Sequence, residues 1–385
     1  MALTILWLLL CFLSFGMLGF RFFYMKQAAS KVWKIKIDKN YKPSVSIVVP
    51  TYNESEVIRL KLENLSKVEY PRNLKQIVII DSQSDDQTID IVNEFVKLHR
   101  ELDITVLVES KRKGKSAALN FALEHCTGDV IIVSDADSFL PSDILSKALP
   151  FLADPEVGAI SGPKILLNPE QSLVTKMESS YLNSLNLIRL GESKICSTLF
   201  FEGGFSAYKK NVLDSFDPYN TGSDDNGTVI RILQKNFRTI FVPAAEFYTV
   251  FPTTWREKMA VKMRRANQLL RVFGKYTSLL LKGNFVSSKN VILWNLLVYF
   301  LSPTIFVLLL ATTVLMLLNF PYFALAFLIL LIPKVRLYVL EAVLSYFILI
   351  LTAFAIAFKK RFVVWSKPKD RALIAEDVLL RHELI

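Results

Sequence analysis

Four short apolar runs rich in β-branched residues constrain the architecture most: VSIVV at 45–49, IVII at 77–80, ITVLV at 104–108 and VIIV at 130–133. The last of these runs reads as a strand buried on both faces, and the other three as strands. The runs recur about every 25 to 32 residues, and the stretches between them at 54–66, 86–100 and 115–125 carry helical patterns. Strands alternating with helices mean βαβ units and a mostly parallel sheet. Such α/β domains bind ligands in the crevice beyond the carboxyl ends of the strands. The residues at those ends are therefore the candidates. They are Pro50, Thr51, Tyr52, Asn53 and Glu54, then Asp81, then Glu109 with the run KRKGK, then Asp135 and Asp137.

The fourth strand ends in two carboxylates with only Ala136 between them. Alternate residues of an extended segment point the same way, so both acids reach into the crevice. Like charges that close call for a cation between them. One reading is a hard divalent ion, Mg²⁺ or Mn²⁺, held by oxygen ligands against a diphosphate; the other is a solvated loop after a strand. Cys11, Cys126 and Cys196 are scattered without zinc spacing, and there are only three histidines, so a metal here must rest on carboxylates. Neither G-x-G-x-x-G nor a Walker loop is present, which disfavours dinucleotide dehydrogenases and P-loop enzymes.

The two ends of the chain point to a bilayer. Residues 3–25 are apolar apart from Arg21, and about 23 residues make a helix of roughly 34 Å, long enough to span. Neither a basic start nor a small-residue cleavage site is evident, so this segment reads as a retained anchor. Near the other end, 291–318 and 337–358 are long enough to span, whereas 322–332 is too short and reads as re-entrant or interfacial. The net charge of +11 gathers beside these segments: Lys26, Lys31, Lys34, Lys36, Lys39 and Lys42 after the anchor, and Lys359, Lys360, Arg361, Lys367, Lys369 and Arg371 after the last span. That is the positive-inside pattern, not a nucleic-acid footprint. It predicts a cytoplasmic central region and tail, with an even number of carboxy-terminal spans.

Beyond Pro141 the chain is more mixed. A strand pair interrupted by Gly162-Pro163 is expected at 157–167, and strands at 200–208 and 237–242 flank a helix after Asp225. The stretch 173–190 reads as an amphipathic helix suited to a membrane surface. In 256–275, Met259, Met263, Ala266, Leu270 and Phe273 share one helical face while Lys258, Lys262, Arg264, Arg265, Arg271 and Lys275 fill the others. That pattern predicts a basic amphipathic helix at a membrane interface.

Six segments now stand in order: PTYNES (50–55), DSQSDDQT (81–88), KGKSAALN (113–120), SDADSF (134–139), FEGGFSAY (201–208) and SDDNGTVIRILQKNF (223–237). Together they resemble the family 2 glycosyltransferases, inverting enzymes of the GT-A fold. The resemblance implies that Asp137, with Asp135 beside it, holds Mg²⁺ or Mn²⁺ on the donor diphosphate. It implies that Pro50, Thr51, Asn53 and Glu54 line the nucleoside pocket, that Asp81 meets the nucleobase, and that Lys115 sits near base or phosphates. Asp225 becomes the general base with Asp224 its neighbour, Gly203 and Gly204 admit the acceptor or sugar, and Arg264 or Arg265 stabilises the diphosphate. Each position also has a plainer reading: a turn acid at Asp81, a solvated helix start at Lys115, a helix N-cap at the acidic pair, and a bulge at the glycines.

Two departures bear on the subgroup. Processive polysaccharide synthases of this family carry Q-x-x-R-W, whereas this chain has VKMRRANQ at 261–268, without that glutamine or the tryptophan. In polyprenyl-phosphate sugar synthases a glutamine often follows the D-x-D; here Phe139 occupies the place. The expected organisation is an anchor at 1–25, a cytoplasmic GT-A domain at 43–252, basic interface helices at 253–290, a membrane region at 291–358 and a basic cytoplasmic tail at 359–385. The expected activity is transfer of one sugar from a nucleotide-diphospho-sugar to a lipid-linked or membrane-proximal glycan acceptor at the cell membrane. A processive synthase, a polyprenyl-phosphate sugar synthase and an inactive membrane scaffold are the alternatives.

Overall fold

The computed structural model describes residues 1–283, 285, 288–357, 374 and 376–385. Its nine strands are β1 (Val45–Thr51), β2 (Lys75–Asp81), β3 (Ile104–Val108), β4 (Val130–Val133), β5 (Val157–Ser161), β6 (Lys164–Leu166), β7 (Ser206–Lys209), β8 (Arg238–Phe241) and β9 (Phe247–Thr249). Seven form one sheet in the order β3-β2-β1-β4-β7-β5-β8, and β6 pairs with β9 in a second. The four apolar runs are parallel neighbours, while β7 runs antiparallel to both β4 and β5. A mostly parallel α/β sheet with apolar helices at both ends is thus the architecture.

Period-two alternation divides the core. Ile47, Val49, Ile77, Ile79, Val130 and Ile132 face helices α2 (Ile58–Lys67) and α3 (Thr88–Leu98) on one side. Val48, Val78, Ile80, Ile131 and Val133 face the other side, where α4 (Lys115–Leu123) packs. Burying side chains of this kind contributes about 1.5–3 kcal/mol each, and both faces are filled. The β1–β2 register sets Thr51 opposite Asp81, and the β1–β4 register sets Val48 opposite Val133, so these strand ends share one rim.

The second half differs from the sequence expectation in two places. The pair expected at 157–167 separates at Gly162-Pro163 into β5 and β6, which belong to different sheets. The strand expected at 200–208 begins only at Ser206; Glu202, Gly203 and Gly204 form a loop instead, because Gly weakens a strand and frees the backbone to bend.

Three helices among the described residues are long and apolar enough to cross a membrane: α1 (Ala2–Ala29), α9 (Lys289–Asn319) and α10 (Pro333–Ala357). The remaining helices are α5 (Ile144–Ala148), α6 (Leu173–Ile195), α7 (Asp224–Gln234), α8 (Trp255–Leu281) and α11 (Glu376–Arg381). Between α9 and α10, Pro321–Leu331 is a short 3₁₀ stretch, in keeping with two full carboxy-terminal spans. Ile374, Leu379, Leu384 and Ile385 pack with Val57, Phe139 and Leu167 of the sheet domain, so the chain's end lies on the same side as that domain. The basic positions 359–371 fall outside the described residues.

The two helices expected at a membrane surface also carry contacts to the rest of the protein. Helix α6 lies between α1 and the sheet domain, and at Gly191 a Cβ would come within 2.2 Å of the Met25 carbonyl oxygen. Its Glu192 is fully buried and receives Arg21 of α1 at 2.8 Å. Asn295 of α9 accepts from Arg21 at 2.7 Å and donates to Glu192 at 2.9 Å. A charge in an apolar segment is tolerated only when so partnered, which accounts for the single arginine of the anchor. On α8, Lys258 is fully buried, and it and Lys262 pair with Glu341 of α10, while Arg265 reaches Glu178 of α6 at 3.3 Å. Much of the basic face therefore meets buried carboxylates, which draw it inward.

Candidate active site

Helix α4 starts at Lys115, whose ammonium lies 2.7 Å from Asp135 Oδ1 and 2.9 Å from Asp224 Oδ2. One side chain thus joins the D-x-D turn after β4 to the acidic pair that opens α7. Burial opposes the charge on Lys115, yet Asp135, Asp224 and Asp225 outweigh it and hold the ammonium above the usual lysine range. Asp137, half-buried on the same turn, has its carboxyl pushed up by burial and by Asp135, against the pull of Lys164 and Lys115.

Asp225 lies in the first turn of α7, where a helix dipole favours an acid. The Ser223 hydroxyl and, at 2.6 Å, the Asn226 amide both donate to its Oδ1. Burial and the neighbouring Asp224 nevertheless push its carboxyl up to about 7. The preceding loop is pinned from α8, where Gln268 Nε2 donates to the Gly222 carbonyl at 2.5 Å.

On the other flank, Asp81 is 2% exposed and both its oxygens are engaged. Thr51 Oγ1 donates to Oδ1 at 3.0 Å, Ser84 Oγ to Oδ1 at 2.6 Å, and the Ser84 amide to Oδ2 at 2.9 Å. Asp81 therefore holds the turn after β2, its plainer reading. Asn53, at φ 55°, donates to Asp85 at 2.6 Å, and the Glu54 amide donates to Thr88 Oγ1 at 2.8 Å. These bonds stitch the loop after β1 to the loop after β2. Pro50 lies within β1 and opposes Ile80. The Arg112 guanidinium stacks 3.5 Å over the Tyr52 ring at this edge.

The glycines are explained by the protein's own packing. A Cβ on Gly203 would come within 2.8 Å of both Asp135 Oδ2 and Lys115 Nζ, and one on Gly204 would strike the Phe247 ring at 2.1 Å. Neither position has room for a side chain beside Asp135, Lys115 and Phe247. Phe139 is fully buried and exchanges backbone hydrogen bonds with Tyr248, so it is a core residue.

Both arginines feel Asp225; Arg264 also feels Asp135 and Asp224, whereas Arg265 feels Glu202 and Glu178 more strongly. Glu202, paired with Arg189 at 2.8 Å, has its carboxyl brought down to about 2, since Arg189, Arg265 and Lys164 overcome its burial. The sequence reading missed Lys61, Lys164, Arg189 and Glu202. Lysines and arginines inside helical or strand patterns read as solvated, and only Glu202, next to the two glycines, stood beside a recognisable signal.

No group of three or more His, Cys, Asp or Glu among the described residues is placed to hold a metal. Two half-exposed carboxylates one residue apart do suit Mg²⁺ or Mn²⁺, which commonly take one or two carboxylates and leave the rest to phosphate and water. The donor set fits a cation shared with a diphosphate.

A family model described as Glycosyltransferase like family 2 matches residues 43–268. The chain is 27% identical over 278 residues to the probable glycosyltransferase YdaM of Bacillus subtilis (strain 168), over 69% of this chain and 65% of that protein. It is 28% identical over 266 residues to the beta-monoglucosyldiacylglycerol synthase of Nostoc sp., over 68% of this chain and 55% of that one. The match thus spans between 55% and 65% of these relatives' length. Among solved structures, the mannosyltransferase PcManGT from Pyrobaculum calidifontis, in complex with GDP-Man and Mn²⁺, superposes with a TM-score of 0.80 at 28% identity, covering 93% of this chain and 99% of that one.

Proposed function

The chain belongs to the glycosyltransferase-like family 2 and is a glycosyltransferase, and from that premise we propose that it is an inverting, metal-assisted enzyme of the membrane. Its donor is a nucleotide-diphospho-sugar, UDP- or GDP-linked, and its acceptor a hydroxyl on a lipid-linked or membrane-proximal glycan. The observation that carries this reading is the Lys115 bridge, which sets the D-x-D turn and the acidic pair across one ammonium. Inversion calls for leaving group and general base on opposite faces of the sugar, and the bridge gathers the D-x-D turn and the acidic pair into one site.

Asp137 and Asp135 would hold Mg²⁺ or Mn²⁺, which would supply positive charge to the diphosphate. Pro50, Thr51, Asn53, Glu54 and Asp81 form the nucleoside wall, with Asp81 reaching the base through the turn that it braces. Lys115 and Arg264 offer positive charge to the diphosphate, and Arg265 supports them through Glu202. Asp225 accepts the proton of the acceptor hydroxyl as its oxygen bonds the anomeric carbon. The bond to the diphosphate oxygen breaks, and its electron pair leaves with the nucleotide. A carboxyl pushed up to about 7 is suited to that transfer near neutral pH. Asp224 acts on Asp225 by proximity, and the loop of Gly203 and Gly204 borders the acceptor side. The basic residues after the anchor support a cytoplasmic catalytic domain.

The reading is tested by offering purified protein in detergent a panel of UDP- and GDP-sugars with membrane lipid extract, with Mn²⁺, Mg²⁺ or chelator. Metal-dependent release of one nucleotide and a product one sugar longer are expected. Turnover unaffected by chelator would contradict the metal assignment, and a ladder of long chains would contradict single addition.

A further inference from the structure

The D-x-D turn is supported from behind by a charge that the reaction does not use. Lys61, in the middle of α2, is fully buried. Its ammonium donates to Ser134 Oγ at 2.7 Å and, across the turn, to the Ser138 carbonyl. Ser134 Oγ in turn donates to the Gly204 carbonyl at 2.8 Å. One turn further along the same helix, Asn64 brackets Leu140, donating to its carbonyl at 2.7 Å and accepting from its amide at 2.9 Å. The two residues flanking Asp135 and Asp137 on the outside are thus tied to one ammonium, and the glycine loop is tied to it through one hydroxyl.

We propose that Lys61 is a positioning residue of the donor site, which presets the spacing of Asp135 and Asp137 and fixes the Gly203–Gly204 loop against them before any cation binds. The inference rests on the metal reading above. A buried ammonium costs free energy unless its donors are matched; Lys61 makes two hydrogen bonds, and the charges of Asp135 and Asp137 favour its protonated form. Its charge and its bonds act on metal affinity with opposite signs. A cation close to two carboxylates weakens their hold on a second cation, whereas a turn held in one geometry strengthens it. Lys61→Met removes both effects at similar length, so the direction of the change shows which dominates.

The experiment uses the full chain in detergent. Hydrogen exchange is followed over 134–140 and 203–206 without metal, and Mn²⁺ is titrated calorimetrically with GDP or UDP present. Supporting groups around metal ligands commonly carry about 10- to 100-fold in affinity, so Lys61→Met is expected to weaken Mn²⁺ binding by about tenfold and to speed exchange in both segments. Unchanged exchange with equal or tighter Mn²⁺ binding would overturn the proposal and leave Lys61 as a charge only. Should Lys61→Met fail to fold, Ser134→Ala carries the test. Faster exchange at 203–206 with weaker Mn²⁺ binding supports the relay, and wild-type behaviour in both overturns it. If wild-type protein binds no Mn²⁺ with either nucleotide, the metal reading itself fails, a result distinct from the variants matching a wild type that binds.

Discussion

Asp225 shows how far a residue's chemistry depends on its neighbours. Burial and Asp224 push its carboxyl up to about 7, so the ionised base is scarce below that pH and accumulates as pH rises through it. Transfer is therefore expected to climb across neutrality, and Asp224→Asn, which removes the like charge, is expected to move that limb to lower pH. A pH profile of kcat/KM for both proteins checks the sign; an unmoved limb would mean that Asp224 does not set the base. At this scale the acids were legible, because Asp135, Asp137 and Asp225 follow strands or open a helix in recognisable motifs. Lys61, Lys164 and Arg189 were not legible, since burial of a long basic side chain is decided by contacts distant in sequence. The glycine pair was legible as a signal, but its reason, room for Lys115, Asp135 and Phe247, emerged only from packing.

At the scale of elements, four apolar runs alternating with helical patterns were enough to read the parallel sheet, although β3 at its edge is only half-buried. Helices α6 and α8 were legible as helices, but their internal ion pairs were not. Their charged faces look solvated in one dimension, yet Glu178 and Glu192 are fully buried and accept Arg265 and Arg21. Arg21→Leu leaves Glu192 buried without its cation, and breaking a buried pair costs about 3–5 kcal/mol. A lower Tm is expected, with much of the loss recovered in the double variant Arg21→Leu/Glu192→Leu. A double variant no better than the single one would show that the pair does not act as a unit.

At the scale of the molecule, anchor, sheet domain and carboxy-terminal spans are joined by buried polar contacts. Arg21, Glu192 and Asn295 tie α1, α6 and α9; Lys258, Lys262 and Glu341 tie α8 to α10. The end of the chain returns to the sheet domain, where the Leu384 carbonyl accepts from Asn64 at 2.6 Å beside the D-x-D turn. Deleting 376–385 uncovers Val57, Phe139 and Leu167. The truncated protein is expected to unfold at lower temperature and to bind Mn²⁺ with GDP or UDP less tightly; unchanged values would show the tail to be dispensable. The spans were legible from length and hydropathy alone, whereas the docking of the tail left no periodic trace in the sequence.

The central claim, a carboxylate base that acts after the donor is bound, is tested most directly by Asp225→Asn. Donor binding and sugar transfer would be measured side by side on wild type and variant with Mn²⁺. The variant is expected to bind the nucleotide-sugar as wild type does and to lose transfer by about 10²- to 10⁴-fold. Transfer at the wild-type rate by Asp225→Asn would contradict it.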